Sequence, residues 1–314
     1  VPLVVHVETV IDRVTLQVGD ESCDIDDGQG APRCSPVMPG PDVADTTVLV
    51  VGNDARAALD PTDRALLDLL HEVADAVAAA LSLVDDWGPS GRRAGQYAAD
   101  LLADDAALAV LRAADVGVLS EESGLENADR PLLVVVDPLD GSTNASRGIP
   151  WFATSLCVLD DDGPRVALVA DQAPALHGRR GRRWTAVRGA GAWEDDEHIE
   201  PSGCTDLSTA VVGLSGLPPR HLGWQQFRAQ GASALDLCEV ASGVFDGFID
   251  CSPSAHGVWD YAAAVLICTE AGAVIADGAG RDLIVRDHTA RRTPVAAATP
   301  ALLDELLAAR ATWP

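Results

Sequence analysis

The first chemical signal in this 314-residue sequence is a pair of carboxylates three residues apart, at the abrupt end of an apolar run. Leu132 to Val136 reads as a strand, and it stops at Asp137-Pro138-Leu139-Asp140-Gly141-Ser142-Thr143-Asn144. Pro138 fixes φ in the turn, so the Asp137 and Asp140 carboxylates can converge with the Leu139 carbonyl as hard oxygen ligands, a set suited to Mg2+. Gly141 lets backbone approach a ligand closely, and the amides of Gly141 and Ser142 would cradle a phosphate if a helix starts there. The same residues also describe an Asx-rich turn whose carboxylates cap a helix. Taken alone, the run divides evenly between the two readings.

Two further acidic positions bear on that choice. The strand-like Val116 to Leu119 ends in Ser120-Glu121-Glu122-Ser123-Gly124, adjacent acids that repel each other unless a cation or solvent compensates them. Gly257-Val258-Trp259-Asp260 puts a carboxylate at the first turn of an apolar helix carrying Ala262, Ala263, Leu266 and Ile267. Singly, these are a solvated loop and an ordinary helix start. A phosphatase of the haloacid-dehalogenase type would need its two aspartates two residues apart. Here they are three apart with proline between, which defeats that geometry.

The elements that must position these residues alternate in type. Asp60 as N-cap, Pro61 at the first helical position and Asp63 near the positive end of the dipole start a helix with Leu66, Leu67, Leu70, Val73 and Val77 at helical spacing. A second helix is expected over Ala98 to Ala113, and strands over Ser155 to Leu159 and Val166 to Ala170. Residues 184 to 193 read as a hairpin with a glycine-permitted turn. Helix Ala232 to Ser242 precedes strand Gly247 to Asp250, and helix Trp259 to Ala271 precedes strand Ala273 to Ala276. This alternation, without repeats or low-complexity linkers, predicts a layered α/β architecture. Residues 1–58 differ: a β-like stretch, Val4 to Val18, leads into an acidic, turn-rich segment, Gly19 to Asp42. They are assigned as an N-terminal extension whose true start stays open, since the first residue is valine and the only methionine is Met38.

Composition bounds the function classes. A net charge of -26, with arginine but no lysine, argues against a general basic surface for nucleic acid. An acidic enzyme still binds phosphate if metal ions reverse the local field. Seven cysteines without a Cys-x-x-Cys suggest neither a disulfide framework nor a zinc site, and a cytoplasmic location is expected. No apolar run reaches the roughly 18 residues that span a bilayer, so no membrane association is expected.

Glu121-Glu122, Asp137 to Asn144 and Trp259-Asp260-Tyr261-Ala262-Ala263, in that order, resemble the inositol monophosphatase family. So do Ala186 to Ala192, like the family's Ala-x-x-Gly-x-Gly-Ala hairpin, and Glu270-Ala271-Gly272-Ala273 after the last predicted helix. The likeness runs from about residue 60 to the C-terminus. It implies that residues 59–314 form a catalytic domain with the α+β, αβαβα sandwich shared with fructose-1,6-bisphosphatase. It also implies a Mg2+-dependent, lithium-sensitive phosphomonoesterase acting on a small phosphorylated polyol or sugar, inositol 1-phosphate first, and a homodimer. Glu121, Asp137 and the Leu139 carbonyl would hold one Mg2+, and Asp137, Asp140 and Asp260 a second. A third, weaker ion would draw support from Asp100 or Asp104. Ser142 with Glu121 would orient or deprotonate the attacking water, without a phosphoenzyme.

Departures from the family pattern fall around these residues. Gly91-Arg92-Arg93-Ala94-Gly95 stands where the family has a lysine, with Arg92 or Arg93 as its replacement. Asn144 is followed by alanine, not an aromatic, with Trp151 and Phe152 nearby. Gly231, Ser233 and Asp250 fall where the resemblance places substrate contacts, Asp250 standing in for a glutamate. Fructose-1,6-bisphosphatase, histidinol-phosphatase and adenosine 3′,5′-bisphosphate phosphatase activities share the same metal apparatus and remain rivals. A regulatory binding protein on the same fold is the alternative of another class.

Overall fold

The computed structural model describes residues 8–10, 13–15 and 59–313. The chain divides into two compact units, Val1–Ala55 and Arg56–Pro314. In the first, strands β1 (Glu8–Val10) and β2 (Arg13–Thr15) pair antiparallel, within the stretch read as β-like. The acidic segment Gly19 to Asp42 lies outside the described residues.

In the second unit, helix α1 (Pro61–Leu81) starts as its cap signals require, with Asp60 accepting from the Thr62 amide at 2.8 Å. Helix α2 (Ala98–Ala113) follows. Both lie on one face of an eight-stranded sheet built from β3 (Gly117–Ser120), β4 (Gly124–Glu126), β5 (Leu133–Asp140), β6 (Ala153–Asp160), β7 (Gly163–Asp171), β8 (Arg183–Val187), β9 (Gly191–Glu194) and β10 (Glu197–His198). The spatial order is β10-β9-β8-β7-β6-β5-β3-β4, and β3 and β5 run parallel. Between β5 and β6 lies the short helix α3 (Ser142–Ser146).

Strand β5 shows why its apolar run is continuous. Val134 and Val136 pack into the cluster formed with α1 and α2, whereas Leu133 and Val135 pack on the opposite side. That opposite side is covered by helices α4 (Ser233–Ala241) and α5 (Ala262–Ala271), so β5 is buried on both faces. Beyond them lies a five-stranded sheet of β11 (Val211–Ser215), β12 (Gln226–Arg228), β13 (Gly247–Asp250), β14 (Val274–Asp277) and β15 (Pro294–Ala297), in the order β12-β11-β13-β15-β14. Helix α6 (Pro300–Arg310) covers its outer face with Leu302 and Leu306 against Val212, Ile249, Val295 and Ala297. The succession is helix, sheet, helix, sheet, helix, the expected αβαβα sandwich.

Structure corrects several element boundaries. β5 extends through the motif to Asp140 instead of ending at Val136. The helix expected over Trp259 to Ala271 is a 3-10 turn, Val258–Asp260, followed by α5. Glu270, near the end of α5, accepts from the amides of Gly189 and Gly191 at 2.8 and 3.0 Å. That contact ties the β8–β9 turn to the helix, so two of the five motif matches are one structural clasp.

Candidate active site

The site is built around an irregularity in β5. Asp137 pairs with Ser155 of β6 and Asp140 with Ala153, so three steps along β5 meet two along β6. This extra residue is a β-bulge, where proline is tolerated because the ladder is interrupted. Simple alternation would send residues 137 and 140 to opposite faces of the sheet. With the bulge both project toward α4 and the Val258–Asp260 turn, while Leu139 is buried among the residues packed under α1 and α2. The turn is braced from within: Leu139 donates its amide to Asp137 Oδ1 at 3.0 Å, and Thr154 donates its hydroxyl to the Pro138 carbonyl at 3.0 Å.

Gly141 follows with φ +86°, and a Cβ there would lie 3.0 Å from both the Trp151 carbonyl and Ala232 Cβ. Glycine is therefore required by conformation and by space. It serves as the N-cap of α3, so the helix anticipated after the motif is present but only five residues long. Asn144 donates to the carbonyls of Trp151 and Gln230 at 2.8 and 2.7 Å, which draws the Gly231 to Ser233 segment against the motif. Asp140 Oδ2 accepts from the Ala234 amide at 2.7 Å. Asp140 thus accepts from the first turn of α4 while lying close to the Asp137 and Asp260 carboxylates.

Glu121 stands just past β3, its amide donating to the Val136 carbonyl at 3.0 Å beside Asp137. Ser155 donates its hydroxyl to the Trp259 carbonyl at 3.0 Å and fixes the turn that presents Asp260. As a result Glu121, Asp137 and Asp260 each offer a carboxylate oxygen, all within 4.8 Å of one another. Burial, then the neighbouring acids Glu121, Asp140 and Asp260, hold Asp137 well above the usual carboxylate range. Burial and the charges of Asp260 and Glu122 push Glu121 up to about 8. Burial and Asp260 push Asp140 up to about 7. Converging hard oxygens whose repulsion raises one another's pKa fit a divalent cation, which relieves both effects.

The remaining predicted residues take distinct places. Asp100 is buried at the start of α2; its Oδ2 accepts from the Tyr97 amide at 2.8 Å and its Oδ1 has no hydrogen-bond partner. Burial pushes it up to about 6, and the nearby Ser142 hydroxyl pulls in the opposite direction. Asp104, one turn on, accepts from Ser120 Oγ at 2.5 Å and from Ser123 Oγ, so it secures the Glu121 turn from behind. Ser233 is buried at the start of α4, and Gly231 is exposed beside Asn144. Asp250 is fully buried at the end of β13.

Of the two candidate arginines it is Arg93 that reaches the acids, 3.6 Å from Glu121 and 2.9 Å from Glu122. Gln96 also donates to Glu122. Two histidines were not foreseeable from the motifs. His288 lies 3.1 Å from the Glu121 carbonyl and packs at a tilt against the Trp259 ring, and His256 contacts Asp260 at 3.0 Å. The only sequence signal for His256 is its place four residues before Asp260.

A family model described as the inositol monophosphatase family matches residues 94–312. The chain is 33% identical, over 70% of its length and 88% of the relative, to an Archaeoglobus fulgidus protein named fructose-1,6-bisphosphatase/inositol-1-monophosphatase. It is 32% identical to the Nus factor SuhB of Pasteurella multocida, over 66% of this chain and 79% of that protein. The solved inositol monophosphatase from Anabaena matches with a TM-score of 0.64 at 26% identity, covering 80% of this chain and 97% of that one.

Proposed function

Because the chain belongs to the inositol monophosphatase family and is thereby a phosphoric monoester hydrolase, we propose that it hydrolyses a small phosphorylated polyol or sugar, inositol 1-phosphate first, with Mg2+. The observation that carries this is the convergence of Glu121, Asp137 and Asp260 at the bulged end of β5. Glu121, Asp137 and the Leu139 carbonyl would hold one Mg2+, and Asp137, Asp140 and Asp260 a second, with a third, weaker ion beside Glu121. When bound, these ions neutralise the phosphoryl oxygens, stabilise the leaving alkoxide and acidify water.

The chain's own residues do the positioning. Ser142 and Glu121 orient the attacking water, and a carboxylate at Glu121 is suited to take up the proton. Asp100, buried near the Ser142 hydroxyl with its Oδ1 unpartnered, would support the third ion. The amides of Gly141 and Ser142 contact phosphate, and Gly231 and Ser233 border the substrate. Family resemblance also supports a homodimer, a cytoplasmic location and inhibition by lithium; among the described residues, no helix is long and apolar enough to cross a membrane.

The likeness to a Nus factor supports a second reading, a non-catalytic regulatory binding protein. The acidic cluster favours the enzyme, since a binding surface gains nothing from acids held close enough to repel. Phosphate release with Mg2+ from inositol 1-phosphate, fructose 1,6-bisphosphate, histidinol phosphate and adenosine 3′,5′-bisphosphate separates the alternatives. Highest kcat/KM on inositol 1-phosphate is expected. Higher kcat/KM on another member of the panel would reassign the substrate, and no turnover of any would favour the regulatory reading.

A further inference from the structure

Asp260 is held by a residue that no motif contains. His256 Nδ1 lies 3.0 Å from Asp260 Oδ2, which also accepts from the Gly257 amide at 2.9 Å. On the other side of the ring, His256 Nε2 lies 3.1 Å from Ser215 Oγ and 3.7 Å from Asp250 Oδ2. Ser215 and Asp250 are register partners at the ends of the parallel strands β11 and β13. The histidine therefore spans from the second sheet to the acidic cluster.

Both ends of this span are fixed. Asp250 is fully buried, and its Oδ1 accepts from the Ser252 amide at 2.8 Å. Its Oδ2 is buried without a hydrogen-bond partner and faces the histidine ring. Arg310 of α6 donates to the carbonyls of Asp250 and Ser252 at 3.1 and 3.3 Å. The His256 main chain exchanges two hydrogen bonds with Arg292, at 3.2 and 2.9 Å. At Gly257 a Cβ would fall 2.3 Å from the Trp259 ring, so the chain passes between His256 and Asp260 only as glycine.

We propose that His256 is a positioning residue: it occupies Oδ2 of Asp260, leaves Oδ1 to face the cluster, and anchors that carboxylate to Asp250 and Ser215. Asp250 then supports the imidazole and does not receive a substrate hydroxyl. Groups that orient a ligand from behind are worth roughly 10–100-fold in cation affinity or activity. The inference rests on Asp260 being a cation ligand.

Calorimetric titration of the full-length protein with Mg2+ alone, in the absence of substrate, tests it. His256→Ala should bind Mg2+ at least tenfold more weakly, with the thermal midpoint of the Mg2+-free protein within a few degrees of wild type. His256→Asn keeps a donor at the Nδ1 position and should recover most of the affinity; His256→Gln, whose donor sits at the Nε2 position, should not. Asp250→Asn should weaken Mg2+ binding while KM at saturating Mg2+ stays within twofold. Wild-type affinity in His256→Ala, or equal affinity in the Asn and Gln variants, overturns the positioning role. Raised KM with unchanged Mg2+ affinity in Asp250→Asn returns that residue to the substrate. Failure of the wild-type protein to bind Mg2+ overturns the cation site itself.

Discussion

Asp137 accepts from the Leu139 amide through Oδ1 and stands between Glu121, Asp140 and Asp260. Asp137→Asn preserves the shape and the Oδ1 acceptor while removing the charge, so the fold should survive. Turnover should fall by roughly 10²–10³-fold or more, the scale of losing one preorganised electrostatic contact. Wild-type kcat in a correctly folded Asp137→Asn protein would contradict its place at the centre of the site. At this scale Asp137 and Asp140 stand out in the sequence as candidate ligands, but only the family resemblance joins Glu121 and Asp260 to them. What pattern does not encode is direction in space. Asp100 and Asp104 share one face of α2 and are chemically identical, yet one faces Ser142 and the other is taken up by Ser120 and Ser123. The same holds for Arg93 over Arg92 and for His256, whose partners lie on strands far away in sequence.

The element that makes the site is the bulged end of β5 with the turn into α3. Gly141→Ala would force a residue with φ +86° and a Cβ against Trp151 and Ala232. A loss of about 1–3 kcal/mol in urea unfolding is expected, with a lower kcat, since the strain moves Asp140. Unchanged stability would mean that the turn has an alternative conformation. Strand and helix existence were legible from periodicity, and β13 matches its predicted span. The bulge was not, because Asp-Pro-x-Asp is compatible with a strand end, a turn or a helix cap, and only pairing with Ser155 and Ala153 decides. Helix α6 is missing from the expected elements, although the rule that finds α1 covers it: Thr299 caps it, accepting from Leu302, and Pro300 opens it as Pro61 opens α1.

Across the whole molecule, the layered sandwich follows from alternating elements, whereas the strand order within each sheet depends on pairings far apart in sequence. The buried acids also couple global stability to pH. Glu121 and Asp140 have folded pKa values raised to about 8 and about 7, and that of Asp137 is also raised well above its ordinary value. A carboxyl whose folded pKa is raised contributes stability that is complete near pH 4 and is lost as pH rises through the folded value. In a chelator, the thermal midpoint should therefore fall between about pH 5 and pH 8, and added Mg2+ should oppose the fall more strongly at the upper end. A midpoint that rises over this range in chelator would contradict the burial of these acids. The central claim, that the Asp137 cluster works by holding divalent cations, is tested most directly by phosphate release from whichever of the four phosphate esters is turned over best, after the protein is stripped of metal. The stripped protein should be inactive and should regain turnover when Mg2+ is restored; undiminished release without metal, or none after Mg2+ is returned, would contradict it.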